Sequence, residues 1–347
     1  MAGEIDCVPG GMGRPATDPL APTIWNQVAR SPLRSLWDFQ GASVKLVWKR
    51  TFQAMISDNV LSRAAEMGYY FLFALFPTLI CASSILGMVA QQASHIYDSL
   101  LRYLALVVPS GAYDMVMQTF NQTAAASSGG KITLGLVVAL WSASVGFASI
   151  QDGMNTAYKV RESRPYWKAR GGAILVTLLL AVIVTVNLGI LLGGDFISRT
   201  IYARIWHHGL ASGTVLIVHI IQWIIVCALL LLQFSTIYYF APDLKAKRWH
   251  WVTPGAVIAI VGWVISSLGL RLYLHYFNSF TVTYGSLGAV IVLLTWFYIT
   301  GLMLLLGAEI NSEIQAAVVE KKLKDAGELP IEVGASPMLS VHVPRQN

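Results

Sequence analysis

The 24 residues GGAILVTLLLAVIVTVNLGILLGG, positions 171–194, contain no Asp, Glu, Lys or Arg. As a helix rising ~1.5 Å per residue they reach ~36 Å, enough to cross a hydrocarbon core of about 30 Å. A bilayer imposes such a run, because a segment without water must satisfy every backbone polar group internally. Working outward, five further apolar runs reach the required length of about 20 residues. They lie at 67–89, 132–151, 214–241, 251–277 and 286–308. The first and last also lack acidic and basic residues, whereas 132–151 is the most polar, with Ser142, Ser144 and Ser149. The expected fold is an all-α membrane bundle of six transmembrane helices.

Composition agrees. Apolar residues make up 55% of the 347 and charged residues only 12%, half the ~25% of a soluble domain. Mean hydropathy is +0.59. A net charge of +6 could point to nucleic acid in a soluble protein, but here its location gives it another meaning. Of 24 Lys and Arg, 19 lie before the first run, between runs two and three, between four and five, or after the sixth. The other connections hold only Arg102, Lys131, Arg199 and Arg204, and Arg271 lies inside run five. Cytoplasmic loops collect Lys and Arg, so both termini are expected in the cytoplasm. An even number of spans fits that asymmetry.

The chain divides into a disordered cytoplasmic tail at 1–31, a transmembrane domain at 32–315 and a cytoplasmic C-terminal tail at 316–347. The first 30 residues lack the apolar centre of a signal peptide, so the first span is expected to act as the insertion signal. Before it, Val44, Val47, Trp48, Phe52, Met55 and Ile56 recur at helical spacing, with Lys45, Lys49 and Arg50 elsewhere. This pattern suits an interfacial helix on an anionic surface, and equally a helix packed on the rest of the protein. The first outer loop, 90–131, reads as two short amphipathic helices broken at Pro109-Ser110-Gly111, then a flexible Ser127-Ser128-Gly129-Gly130 joint.

Soluble-enzyme chemistry finds no foothold. Cys7, Cys81 and Cys227 have no metal or disulfide spacing, and the seven histidines form no ligand set. A phosphate loop ending in Gly-Lys-Ser/Thr and a Gly-x-Ser-x-Gly elbow are both absent. No catalytic residue, metal or cofactor is expected.

Ionisable residues in or beside spans are costly and therefore candidates for function. Arg271, in run five, has Asp195 at the outer end of run three as its natural partner. It is either a snorkelling arginine or an anion or head-group contact. Glu66 and Glu309 stand at cytoplasmic ends of runs one and six, as surface carboxylates or as members of a proton relay. Asn187, His219 and Gln222 suit interhelical hydrogen bonds. In run five Gly255, Ala259, Gly262, Ser266 and Gly269 share one helix face, a smooth surface for close packing or sliding. Pro77 removes a backbone hydrogen bond from run one and should kink it.

Several stretches together resemble the YihY/BrkB family of bacterial inner-membrane proteins, once labelled ribonuclease BN. They are Ala65-Glu66-Met67-Gly68-Tyr69-Tyr70 through Phe76-Pro77, Leu140-Trp141-Ser142-Ala143-Ser144, and Gln151-Asp152-Gly153-Met154-Asn155-Thr156-Ala157-Tyr158. Arg164-Pro165-Tyr166-Trp167, Ala241-Pro242-Asp243, Pro254-Gly255-Ala256, Tyr284-Gly285-Ser286-Leu287-Gly288 and Leu306-Gly307-Ala308-Glu309-Ile310-Asn311 complete the set, which spans roughly 45–315. The resemblance implies transport or trafficking of lipids or lipid precursors across the envelope, with no cofactor. Membrane lipids are then the expected partners, and nucleic acid is not. The alternative is a scaffold for other envelope proteins; a membrane-bound ribonuclease conflicts with the missing ligand cluster. Among the matched positions, Asn155, Tyr158, Tyr284, Ser286, Glu309 and Asn311 are candidate substrate contacts. Gly285, in the turn between runs five and six, is a candidate structural glycine.

Overall fold

The computed structural model describes residues 21–30, 36–37, 43–90, 118, 129–204, 208–276 and 286–327. The expected helices of the first outer loop, and Tyr284 and Gly285, fall outside them. Among the described residues eight helices follow in order: α1 Ala21–Arg30, α2 Val44–Ser57, α3 Val60–Ala90, α4 Gly129–Ala157, α5 Tyr166–Arg204, α6 His208–Phe240, α7 Pro254–Tyr276 and α8 Ser286–Asp325. Five are long and apolar enough to cross a membrane, at Gly135–Ala157, Tyr166–Leu191, Gly213–Phe240, Pro254–Tyr276 and Leu287–Asp325. The sixth expected run, 67–89, is helical within α3, and the helix continues through Pro77.

The connections α4–α5 and α6–α7 lie at one end of the bundle, with the start of α3 and the last third of α8. We call this the basic end. Its core joins Val60 and Met67 of α3, Phe147, Ile150 and Met154 of α4, Ala173 and Val176 of α5, Tyr238 of α6, Ala256 of α7 and Leu304, Leu305 and Ala308 of α8.

The 40 residues of α8 make it about 60 Å long, roughly twice a hydrocarbon core. The surplus is not bare. Leu36 and Val47 pack on Ile310, Ile314, Ala317 and Val318. Val28 of α1 packs with Tyr158 on Ala316, Val319 and Leu323. One expectation changes accordingly. Residues 21–30, assigned to a disordered tail, form a helix, because Val28 at 1% exposure has an apolar face of α8 to cover. The tail after Glu313, expected to begin as a charged helix, does so as an unbroken continuation of run six to Asp325. A smaller shift occurs at Gly129 and Gly130, which open α4 as helix where a joint was expected.

The amphipathic helix α2 packs on the protein along one face and leaves the other exposed. Val47, Thr51 and Ala54 are buried against the protein. Val44, Trp48, Phe52 and Ile56, each at least 57% exposed, form a second apolar stripe at i, i+4 spacing that the protein leaves open. Between α2 and α3 the chain turns at Asn59, whose φ of 52° suits an asparagine. Asp58 beside it pairs with Lys159, which ties this turn to the α4–α5 connection.

Candidate functional site

Two polar junctions and a pocket occupy the basic end. The first junction starts at Asn155, near the end of α4. Its Nδ2 donates to Glu162 Oε2 at 2.9 Å, and its Oδ1 accepts from the Asp243 backbone N–H at 2.7 Å. Arg164 grips Glu162 with two bonds of 2.6 Å, from Nε and from Nη2, and lies 3.6 Å from Asp243. The Asp243 carboxylate also accepts from the Ser163 hydroxyl at 2.6 Å and its N–H at 2.8 Å. One amide thus holds the α4–α5 connection against the α6–α7 connection. The bonds from Arg164 outweigh burial, which acts upward, and keep the Glu162 carboxyl below its ordinary pKa, with Asn155 adding to the lowering.

The second junction sits where α7 begins. Thr253 caps the helix, its hydroxyl accepting from Ala256 N–H at 3.0 Å. Asn311 of α8 accepts from Gly255 N–H at 2.9 Å and donates to Thr253 Oγ1 at 3.0 Å. Helix starts leave N–H groups unpaired, and α8 supplies one of the partners. The backbones meet here: a Cβ on Gly255 would overlap the Gly307 carbonyl oxygen, and one on Gly307 would overlap Tyr238 Oη. Tyr238 in turn donates to Leu304 O at 3.0 Å, and Ser235 donates to Trp251 O at 2.6 Å. Helices α6, α7 and α8 are closed on one another at this end.

Between the junctions lies a cavity of about 40 Å³, lined by Tyr158, Ser235, Tyr238, Tyr239, Lys247, Arg248, His250, Thr253, Asn311 and Gln315, with Leu36 alongside. Lys247 Nζ stands 5.9 Å from the centre of the Tyr239 ring. Burial, with Arg164 second, lowers the pKa of Lys247. Burial, with Glu309 second, raises that of Tyr158.

The expected site residues separate into groups. Asn155, Tyr158, Glu309 and Asn311 gather at the basic end, with Tyr158 and Asn311 in the cavity wall. Glu309 was read as a surface carboxylate or relay member; it is 1% exposed. Glu66 is exposed on α3. Arg271 is exposed on α7, on an arc shared with Val264 and Leu268, and makes no ion pair among the described residues. The side chains of Asp195 and Ser286 lie outside the described residues, so the Arg271–Asp195 pair is not seen. The small stripe packs only in part. Ala259 is fully buried, and a Cβ on Gly262 would come within 2.8 Å of Met303 Sδ, but Gly269 has nothing near it. The smooth face stops where α7 leaves α8. Gln222 makes the interhelical bonds expected of it, donating to Ile190 O at 3.2 Å and Leu191 O at 3.0 Å. Asn187 Oδ1 and His219 Nδ1 make none among the described residues.

Lys247, Arg248, Ser235 and Tyr239 were not foreseen. The first two counted only as topogenic charge, and nothing local in the sequence marks a loop lysine as turned inward. Among the described residues no three His, Cys, Asp or Glu side chains converge as metal ligands would.

These helices, apolar outside and tied at one polar end, define a multi-pass helical membrane protein. The chain belongs to the virulence factor BrkB family, whose profile matches residues 51–330. It is 33% identical over 275 residues to the ribonuclease-like protein YfkH of Bacillus subtilis, covering 76% of this chain and 92% of the relative. It is 24% identical over 305 residues to a UPF0761 membrane protein of Stenotrophomonas maltophilia, covering 84% of this chain but 64% of that longer one. A UPF0761 membrane protein of Alteromonas mediterranea shares 25% over 281 residues, with coverage of 78% and 87%. No solved structure matches.

Proposed function

We propose that the protein moves lipids or lipid precursors across the bacterial inner membrane, with both termini cytoplasmic and α3 as a sixth span. One observation carries this reading: α6 and α7 are tied at the basic end and touch little elsewhere, and most of α5, α6 and α7 stays exposed. Only 11% of the most apolar stretch is buried in each of α5, α6 and α7, against 44% in α4. Along α6, Leu216, Ile217, Ile220, Trp223, Ile224 and Ile225 are exposed over an arc of about 200°, while Gln222 and Val226 are buried. A scaffold gains nothing by leaving neighbouring helices apart, whereas a lipid carrier needs a lateral opening through which acyl chains enter. Arg271, on the exposed arc of α7, would meet a head group there, since a lone guanidinium among acyl chains is costly.

The test is reconstitution of the purified chain in liposomes holding a fluorescent phospholipid, with its transbilayer movement followed by chemical quenching of the outer leaflet. Faster movement than in protein-free liposomes is expected, and Arg271→Ala should slow it. Movement at the protein-free rate, from a chain that remains folded, would overturn the transport reading in favour of a scaffold.

A further inference from the structure

We propose that the cavity between Lys247 and Asn311 is a binding site for a phosphate group, carried by a lipid head group or by a free anion. The argument begins with unspent positive charge. Lys247 and Arg248 make no ion pair among the described residues, although carboxylates are close. Those carboxylates are already engaged: Glu162 by Arg164 at 2.6 Å, and Asp243 by Ser163 and Arg164. Arg164 therefore offsets the pull of both on Lys247.

Lys247 nevertheless gives up water. Its pKa falls because it is buried and because Arg164 stands nearby, the situation an incoming anion relieves. The rest of the wall supplies neutral polar groups. Asn311 and Gln315 stand one turn apart on α8, and both line the cavity. Glu309 and Glu313, two residues before and after Asn311, point about 160° away from it at 100° per residue, so α8 sets amides rather than carboxylates in the cavity wall, and the buried Glu309 acts on Tyr158 from outside that lining. A cavity of about 40 Å³ exceeds the ~10–15 Å³ that one water requires, which leaves room for a tetrahedral oxyanion at its mouth. A basic pocket between helices at the cytoplasmic boundary is the form head-group sites take.

The inference stands apart from transport, because binding without lipid movement would leave it intact. The test uses the full chain in phosphatidylcholine nanodiscs and measures acylation of individual lysines by mass spectrometry. Inorganic phosphate is added in one arm, and phosphatidic acid is included in the bilayer in the other. Charge-assisted bonds to a bound anion should slow Lys247 modification about tenfold. Lys245, exposed two residues away and outside the cavity, should be unaffected, and Arg248→Gln should weaken the protection. Protection by phosphate alone identifies a free anion, and protection by phosphatidic acid alone identifies a head group. Unchanged Lys247 reactivity in both arms, or equal slowing of Lys245, would overturn the proposal.

Discussion

Asn155 shows how much one side chain organises. Its amide joins the Glu162 carboxylate to the backbone of Asp243, 88 residues beyond Asn155 itself, with bonds of 2.9 and 2.7 Å. Asn155→Ala deletes both and leaves the Asp243 N–H and one Glu162 oxygen with one partner fewer. The expected loss is about 1–3 kcal/mol, read as a lower unfolding temperature in detergent. Unchanged melting would mean that water replaces the amide without cost. Acid should weaken the same junction. Glu162 titrates below its usual 4.5 when folded, so its contribution is present above that value and fades as pH falls through the lowered pKa. The sequence singled out Asn155 as a candidate substrate contact, through the family resemblance of the stretch 151–158, and not as a tie between loops. A polar residue at the end of an apolar run attracts notice, but its partners at Glu162 and Asp243 are fixed only when two loops meet.

Among the elements, α2 carries the clearest division of labour. One stripe, Val47, Thr51 and Ala54, faces α8 and its surroundings, while Trp48 at 57% exposure and Phe52 at 63% face away. Periodicity alone returned a single broad apolar face and two readings for it, because it records which residues share a side but not what lies there. The outer stripe has the composition of an interfacial face, where Trp is favoured and lysines flank the apolar side chains. Trp48→Ser with Phe52→Ser should therefore change detergent-solubilised stability by less than about 0.5 kcal/mol. Ala54→Leu, forced into a site of 0% exposure, should cost about 1–3 kcal/mol. Equal effects on melting from the two changes would refute this division. The helix α8 teaches a related lesson. Its apolar run stops near 308, yet the helix continues to Asp325 because α1 and α2 give its amphipathic last turns something to pack on.

For the whole molecule, topology follows from charge. Arg63, Lys168, Lys245 and Lys322 all belong to the end where α3 begins and α8 finishes, so the basic residues fall on one side of the bundle as the loop counts required. With the natural cysteines removed, a cysteine at Ser128 should react with an impermeant thiol reagent added outside intact cells, and one at Lys168 should not. The reverse pattern would invert the protein in the membrane. The sequence by itself determined the membrane environment, the helical class and the grouping of basic residues, since hydropathy, run length and charge bias are properties of single segments in a bilayer. Tertiary structure alone decided that α6, α7 and α8 close on one another at the basic end while α6 and α7 touch little elsewhere. It also decided that Lys247 and Asn311 line one cavity, and that residues 21–30 are a docked helix. Each of these depends on side chains from distant segments sharing one space, and the energy of such contacts has no trace in local periodicity.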